Sequence, residues 1–205
     1  NDWQGFSANL KEVVKLSREE ARLRAEAKSC SPYDALLDIF EPDMTSARLD
    51  VLFGDMKSWL PDLLANAVEK QSQQSFVPPQ GPFPTATQRE LGLEAMKMLG
   101  FDFNGGRLDV SAHPFCGGVP EDVRITTRYD EEELLSALFG VVHETGHARY
   151  EQNLPRAWAG QPVALARSTA IHESQSLFFE MQLGRSNAFL KHLLPAVQAR
   201  FGSQA

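Results

Sequence analysis

His143 and His147 stand four residues apart with Glu144 between them, in the run Val141-Val142-His143-Glu144-Thr145-Gly146-His147. On a helix, residues four apart project from one face, one turn above the other. Two imidazole nitrogens so placed can reach one metal ion, and zinc accepts nitrogen ligands in a tetrahedral shell. The glutamate between them can point at a metal-bound water and take its proton. That is chemistry for hydrolysing a peptide bond. The plainer alternative is a helix whose histidines only pack or face water. A candidate third ligand weighs against it. Ile171-His172-Glu173-Ser174-Gln175 lies in a second helical pattern, with Glu173 twenty-six positions after His147. Two helices joined by a turn can bring that carboxylate to the histidine pair, leaving the fourth position of a catalytic site for water.

The 205 residues, 42% hydrophobic and 23% charged, are enough for one large globular domain or two small ones with a real core. No apolar run approaches the roughly twenty residues that span a bilayer. A net charge of −7 with no basic stripe argues against a nucleic-acid partner. Cys30 and Cys116 are far apart and read as free thiols in a reducing compartment. Cys116 follows His113 by three residues, but a small buried thiol explains it more simply than a metal ligand. No leader pattern is visible. The chain opens on Asn1 rather than Met, which leaves an upstream segment open.

The elements that must position the site are mostly helical. Residues 1–100 read as a helical region. A first helix from Phe6 to about Lys28 carries Leu10, Val13, Val14 and Leu16 as its apolar stripe. Ser31-Pro32 breaks it, and a short apolar piece follows from Tyr33 to Phe40. Thr45 is positioned to cap a helix running towards Lys70, with a kink or a fresh start expected at Pro61. Residues 71–84, with four prolines, read as an exposed loop. Thr85 or Thr87 is expected to cap the next helix, and Gly100 to end it. Residues 101–129 change period. Arg107–Ser111 and Val123–Tyr129 alternate like two short strands of a hairpin, with His113–Gly118 as the loop between them. Residues 130–205 read as the site helices. Asp130 and Glu133 open the His143 helix, and Leu134, Leu135, Leu138, Val141 and Val142 bury it. A helix from about Ala166 to Leu183 is expected to bury Ile171, Leu177, Phe178 and Met181. A last helix runs from Asn187 to Phe201, with Pro195 as a kink or a new first turn.

Four motifs together resemble one family. They are His113-Pro114-Phe115, Asp122-Val123-Arg124-Ile125-Thr126, His143-Glu144-Thr145-Gly146-His147 and His172-Glu173-Ser174-Gln175. Their order and spacing are similar to those of the M32 metallocarboxypeptidases, the carboxypeptidase Taq family, over the whole chain. The resemblance implies a mainly α, neurolysin-like metallopeptidase fold cleft by a long groove, with a small hairpin or sheet near the site. It implies His143, His147 and Glu173 as metal ligands, Glu144 as general base, and zinc or cobalt as the ion. It also implies homodimers that remove residues from peptide C-termini, and the reducing compartment read from the two thiols is expected to be the cytoplasm. Family members are much longer. Two later motifs, Ile-Arg-x-x-Ala-Asp and Gly-x-x-Gln-Asp-x-His-Trp, have no counterpart here, so residues 1–205 are expected to be one helical domain fragment.

Other residues divide between roles. His113 could orient substrate or simply hold its loop. Arg124 and Thr126 could line the groove or support the metal helix, and Arg124 could equally pair with Asp122 or Glu180. His172 points about 100° away from Glu173 around the helix, which makes ligation by both unexpected and leaves His172 for the surroundings of the ligands. Two functional alternatives remain: an oligopeptidase or endopeptidase of the same helical clan, and a truncated, non-catalytic metal-binding domain.

Overall fold

Helix signals in the chain end at glycine, proline and hydroxyl residues, and the structure follows most of them. It is a computed structural model that describes residues 2–202. The described residues are mainly α-helical with one small sheet, and they divide into two compact units, residues 1–75 and 76–205.

In the first unit, α1 (Trp3–Lys28) starts at Asp2, whose Oδ1 accepts from the Gly5 N–H at 2.9 Å. It ends at Ser29 in the left-handed conformation. Ser31 caps α2 (Pro32–Phe40), with Pro32 in the first turn, where its missing N–H costs nothing. Thr45 caps α3 (Ser46–Ser72). Asp34 of α2 ties that start down, accepting from the Ser46 N–H at 2.7 Å and the Ser46 hydroxyl at 2.6 Å.

Of the two outcomes expected at Pro61, the fresh start does not occur: the ring removes one helical hydrogen bond, and the exposed α3 continues through it. The apolar stripe of α1 departs from expectation. Leu10, Val13, Val14 and Leu16 are exposed, and small Ala21, Ala25 and Ala35 are what this unit buries. The reason is length. α2 has nine residues against the twenty-six of α1, so at ~1.5 Å per residue it covers only one end of its neighbour.

In the second unit, the loop that follows α3 is exposed as expected except for half-buried Pro79 and for Phe83, which is fully buried and meets the Phe201 ring edge-on at 5.4 Å. Gln88 holds this turn, its Nε2 donating to the carbonyls of Phe83 at 2.6 Å and Asp130 at 2.7 Å. α4 (Thr85–Met98) is not capped by a threonine. Pro84 occupies the cap position without a side-chain bond, and Glu131 Oε1 accepts from the Thr85 N–H at 3.2 Å. A cap supplied from 46 residues away leaves no local signal.

The hairpin is also corrected. The presumed loop contains a strand, so β1 (Gly106–Val110), β2 (Phe115–Val119) and β3 (Asp122–Thr127) form a sheet in the order β1-β3-β2. β2 pairs with β3 antiparallel, while β1 runs parallel to β3, with Leu108 opposite Ile125. Cys116-Gly117-Gly118 carries little strand propensity, and pairing with β3 makes it a strand. Gly118 sits at φ +109°, where a side chain would meet the Asp122 carbonyl.

α5 (Leu134–Gln152) is capped by Glu133 alone, which accepts from the N–H groups of Leu135 and Ser136. Leu134, Leu138, Val141 and Val142 are buried, whereas Leu135 stays on the surface. One face of α5 packs with Leu91 and Ala95 of α4 and with Phe189 and Leu193 of α7 (Asn187–Phe201). The other packs with Met96, Phe101 and the sheet residues Leu108, Val123 and Ile125. α7 runs through Pro195 without a restart.

α6 (Thr169–Leu177) continues as one wide π-helical stretch, Phe178–Gly184. Its expected core face is wrong, since Ile171, Leu177, Phe178 and Met181 are all exposed. Ser176 and Gly184 are buried instead.

Leu91 is fully buried between the elements that carry α5. Leu91→Ala should cost about 2–5 kcal/mol of stability, read by denaturant unfolding. A loss well under 1 kcal/mol would show that α4 does not brace α5.

Candidate metal centre and groove

α5 and α6 meet at a glycine. A Cβ built on Gly146 would lie 2.6 Å from Ser176 Cα and 2.7 Å from the Gln175 carbonyl oxygen, both backbone atoms that cannot step aside. Only a residue without a side chain lets the helices come this near. The consequence is a polar seam along the shared face.

Across that seam, Glu173 Oε2 lies 3.2 Å from His147 Nε2, and Glu173 Oε1 lies 3.6 Å from His143 Nε2. The ligand atoms of His143, His147 and Glu173 all fall within 4.8 Å of one another. Two imidazole nitrogens and a carboxylate oxygen converging on one point suit a divalent cation. The outer nitrogens have partners too. His143 Nδ1 is 3.0 Å from Glu180 Oε2, and Glu180 Oε1 accepts from Arg185 at 2.7 Å. His147 Nδ1 is 2.6 Å from His172 Nδ1, and His172 Nε2 is 2.7 Å from Glu151 Oε1.

Glu144 is almost fully buried beside these groups. Burial pushes its carboxyl up to about 7, with a neighbouring His143 charge opposing and the Glu173 charge adding. Burial, and then the His172 charge, bring His147 down to about 4. Both shifts have the same root, since low-dielectric surroundings penalise whichever form is charged. Cys116 at the groove wall is pushed up to about 12 by burial, which makes it an inert thiol.

Two hollows of about 470 and 510 Å³ share His113, Pro114 and Glu144, one reaching towards His147 and Glu173 and the other towards His143 and Glu180. Glu144 therefore faces open space on both sides of the ligand line. His113 stands at the rim of both hollows. Thr126 is buried and makes no groove wall. Its Oγ1 accepts from the Phe115 N–H at 3.1 Å and lies 2.7 Å from Ser111 Oγ, which fixes the loop bearing His113. Arg124 pairs with Asp122 at 2.6 Å on an exposed edge and lines neither hollow.

Glu180, Glu151 and Gly146 were not anticipated. Glu180 lies seven residues after Glu173 and Glu151 four after His147, spacings that return to the same helix face. Those intervals were the available signal. For Gly146 there was none, because close approach belongs to the pair of helices.

The profile of the carboxypeptidase Taq (M32) metallopeptidase family matches residues 1–205. The chain is 41% identical over 192 residues to carboxypeptidase 1 of Bacillus subtilis, covering 92% of this chain and 38% of that protein. It is 39% identical over 211 residues to thermostable carboxypeptidase 1 of Thermus thermophilus, covering 99% and 41%. Among solved structures, Trypanosoma cruzi metallocarboxypeptidase 1 superposes with a TM-score of 0.86 at 54% identity, over all of this chain and 41% of that one. The chain thus spans about two fifths of the length of these relatives.

Two outcomes follow from the geometry. Gly146→Ala should push α6 outward and weaken any divalent-metal binding at these three residues about tenfold or more, read by competition with a chromophoric chelator. Unchanged affinity would remove Gly146 from the site.

The second concerns pH in the metal-free protein. A carboxyl raised from 4.5 to about 7 makes folding less favourable as pH climbs through that interval, because the folded state then holds the extra proton. His147, lowered from 6.5 to about 4, contributes in the opposite sense, its stabilisation being lost as pH falls through that window. Glu144→Gln should therefore gain stability relative to the parent as pH rises from 4.5 to about 7, then level off. A flat difference in denaturation midpoints would show that Glu144 ionises freely.

Proposed function

The chain belongs to the carboxypeptidase Taq (M32) metallopeptidase family, and we propose that it carries the zinc site and catalytic carboxylate of an enzyme that releases amino acids from peptide C-termini. The supporting observation is the convergence of His143, His147 and Glu173 beside a buried Glu144 that opens onto the groove on two sides.

His143 and His147 offer their Nε2 atoms to the ion, and Glu173 offers its carboxylate. Two nitrogens and one oxygen suit zinc, with cobalt able to occupy the same donors. When bound, the ion supplies Lewis acidity for the scissile carbonyl and acidifies the attacking water. Glu144 takes the proton from that water and returns it to the leaving amine. Its burial keeps the carboxylate poorly solvated and ready to accept a proton. His113, at the rim of both hollows, is positioned to meet the peptide on either side of Glu144.

Peptides with a free C-terminus are the partners this implies, with a homodimer for a protein of the relatives' length. A reducing, cytoplasmic setting accords with the two unpaired cysteines. Among the described residues no helix is long and apolar enough to cross a membrane.

The test uses one peptide in two forms, with a free and with an amidated C-terminus, on residues 1–205 alone and on any longer protein that contains them. Stepwise release from the free form only is expected, and Glu144→Gln should lower it by about 10²–10⁴-fold with zinc content unchanged. Internal cleavage of both forms would make the enzyme an endopeptidase. Full turnover in Glu144→Gln would remove that residue as the base. Zinc binding without turnover by residues 1–205 would mark them as a metal-binding part that does not complete the catalytic site.

A further inference from the structure

The two ligand histidines are backed differently, and both backings come from α6. His143 Nδ1 faces a carboxylate, Glu180, which Arg185 holds from its other side. His147 Nδ1 faces a second imidazole, His172, whose far nitrogen meets Glu151. His172 bridges His147 and Glu151, which are one turn apart on α5, and its ring also rests against the Tyr150 ring at 4.8 Å between centroids. His172 is therefore clamped on three sides.

Donor counting settles where the protons sit when a cation is held. A neutral imidazole carries one N–H, and the hydrogen bond at one nitrogen decides which atom the other can bind. A carboxylate only accepts, so His143 must donate from Nδ1 to Glu180, which leaves its Nε2 bare. Glu151 likewise requires the His172 proton on Nε2. That leaves His172 Nδ1 as an acceptor, which His147 can satisfy only by donating from its own Nδ1. The His147 Nε2 is then bare as well. Both bare nitrogens face the Glu173 carboxylate, at 3.6 and 3.2 Å. With the protons so placed, each of these N–H groups has an acceptor, and the two bare Nε2 atoms and the Glu173 carboxylate converge on one point that suits a cation.

We infer that His172, oriented by Glu151, and Glu180, held by Arg185, are positioning residues that fix the proton of each ligand histidine on Nδ1 and so present both Nε2 atoms to the metal. This rests on the metal assignment proposed above. The two arms differ in kind. Glu180 is an anion that strengthens its histidine directly, whereas His172 passes the demand of Glu151 through a neutral ring. Outer partners of this sort orient ligand rings and raise their basicity, and their loss typically costs about 10–100-fold in metal affinity.

The experiment measures zinc affinity by chelator competition in the wild type, in His172→Leu and His172→Gln, and in Glu180→Leu and Glu180→Gln. Each leucine variant should bind about 10–100-fold more weakly. Each glutamine variant should recover part of the loss, because its amide oxygen can still accept from Nδ1–H. A side chain that merely fills space would give no such ordering. In parallel, the imidazole ¹⁵N spectrum of the zinc-loaded wild type should show His172 protonated on Nε2 alone, with its Nδ1 accepting from His147. Zinc bound equally by wild type and both leucine variants would overturn the inference and leave the metal site standing. So would a zinc-loaded spectrum with the His172 proton on Nδ1. A wild type that binds no zinc, in a protein whose Glu173→Gln variant behaves identically, would overturn both.

Discussion

The contact on which the centre depends is backbone against backbone, where Gly146 of α5 meets Gln175 and Ser176 of α6. A glycine inside a helix costs about 1 kcal/mol relative to alanine. What it permits is an interhelix distance at which short, stiff side chains can bridge. Glutamate and histidine have limited reach, so Glu173 can span both imidazoles only if its helix is this near. His172 and Glu180 profit from the same approach, each touching the outer nitrogen of a different candidate ligand. One missing methylene position thus sets five side chains at once.

Around that contact the fold divides its labour. α4, α7 and the sheet hold α5 from two sides with apolar residues, leaving the third side for charge. The face of α6 that meets α5 is correspondingly polar, and its large apolar residues point outward. Burial and charge then compete at the seam. Glu144 is pushed towards neutrality and His147 away from protonation, in both cases chiefly because burial penalises the charged form. β3 contributes through Thr126, which ties down the loop carrying His113 at the rim of the groove.

Residues 1–75 obey a different balance. Among the described residues their helices bury only Ala21, Ala25 and Ala35, and the aliphatic stripe of α1 lies exposed beyond the end that nine-residue α2 can cover. Amphipathic spacing reports which face of a helix seeks a partner. It does not report how long the partner is.

Local signals determined a good deal of this protein. Helix periods, the break at Ser31-Pro32, the Thr45 cap and the four-residue spacing of His143 and His147 depend on neighbours within a turn or two, so they can be read in order along the chain. The candidate ligands and base, His143, Glu144, His147 and Glu173, were legible for the same reason, helped by a family resemblance over the whole chain. What tertiary structure decided were the relations between distant segments. Glu131 caps a helix 46 residues away, Cys116-Gly117-Gly118 becomes a strand only against β3, and the core face of α6 is the one that α5 can approach. Arg124 turns outward to Asp122, while His172, adjacent to a ligand in sequence, closes on His147 from the other helix. Each of these is fixed by distance and donor geometry across a packed interface, and linear spacing carries no record of either.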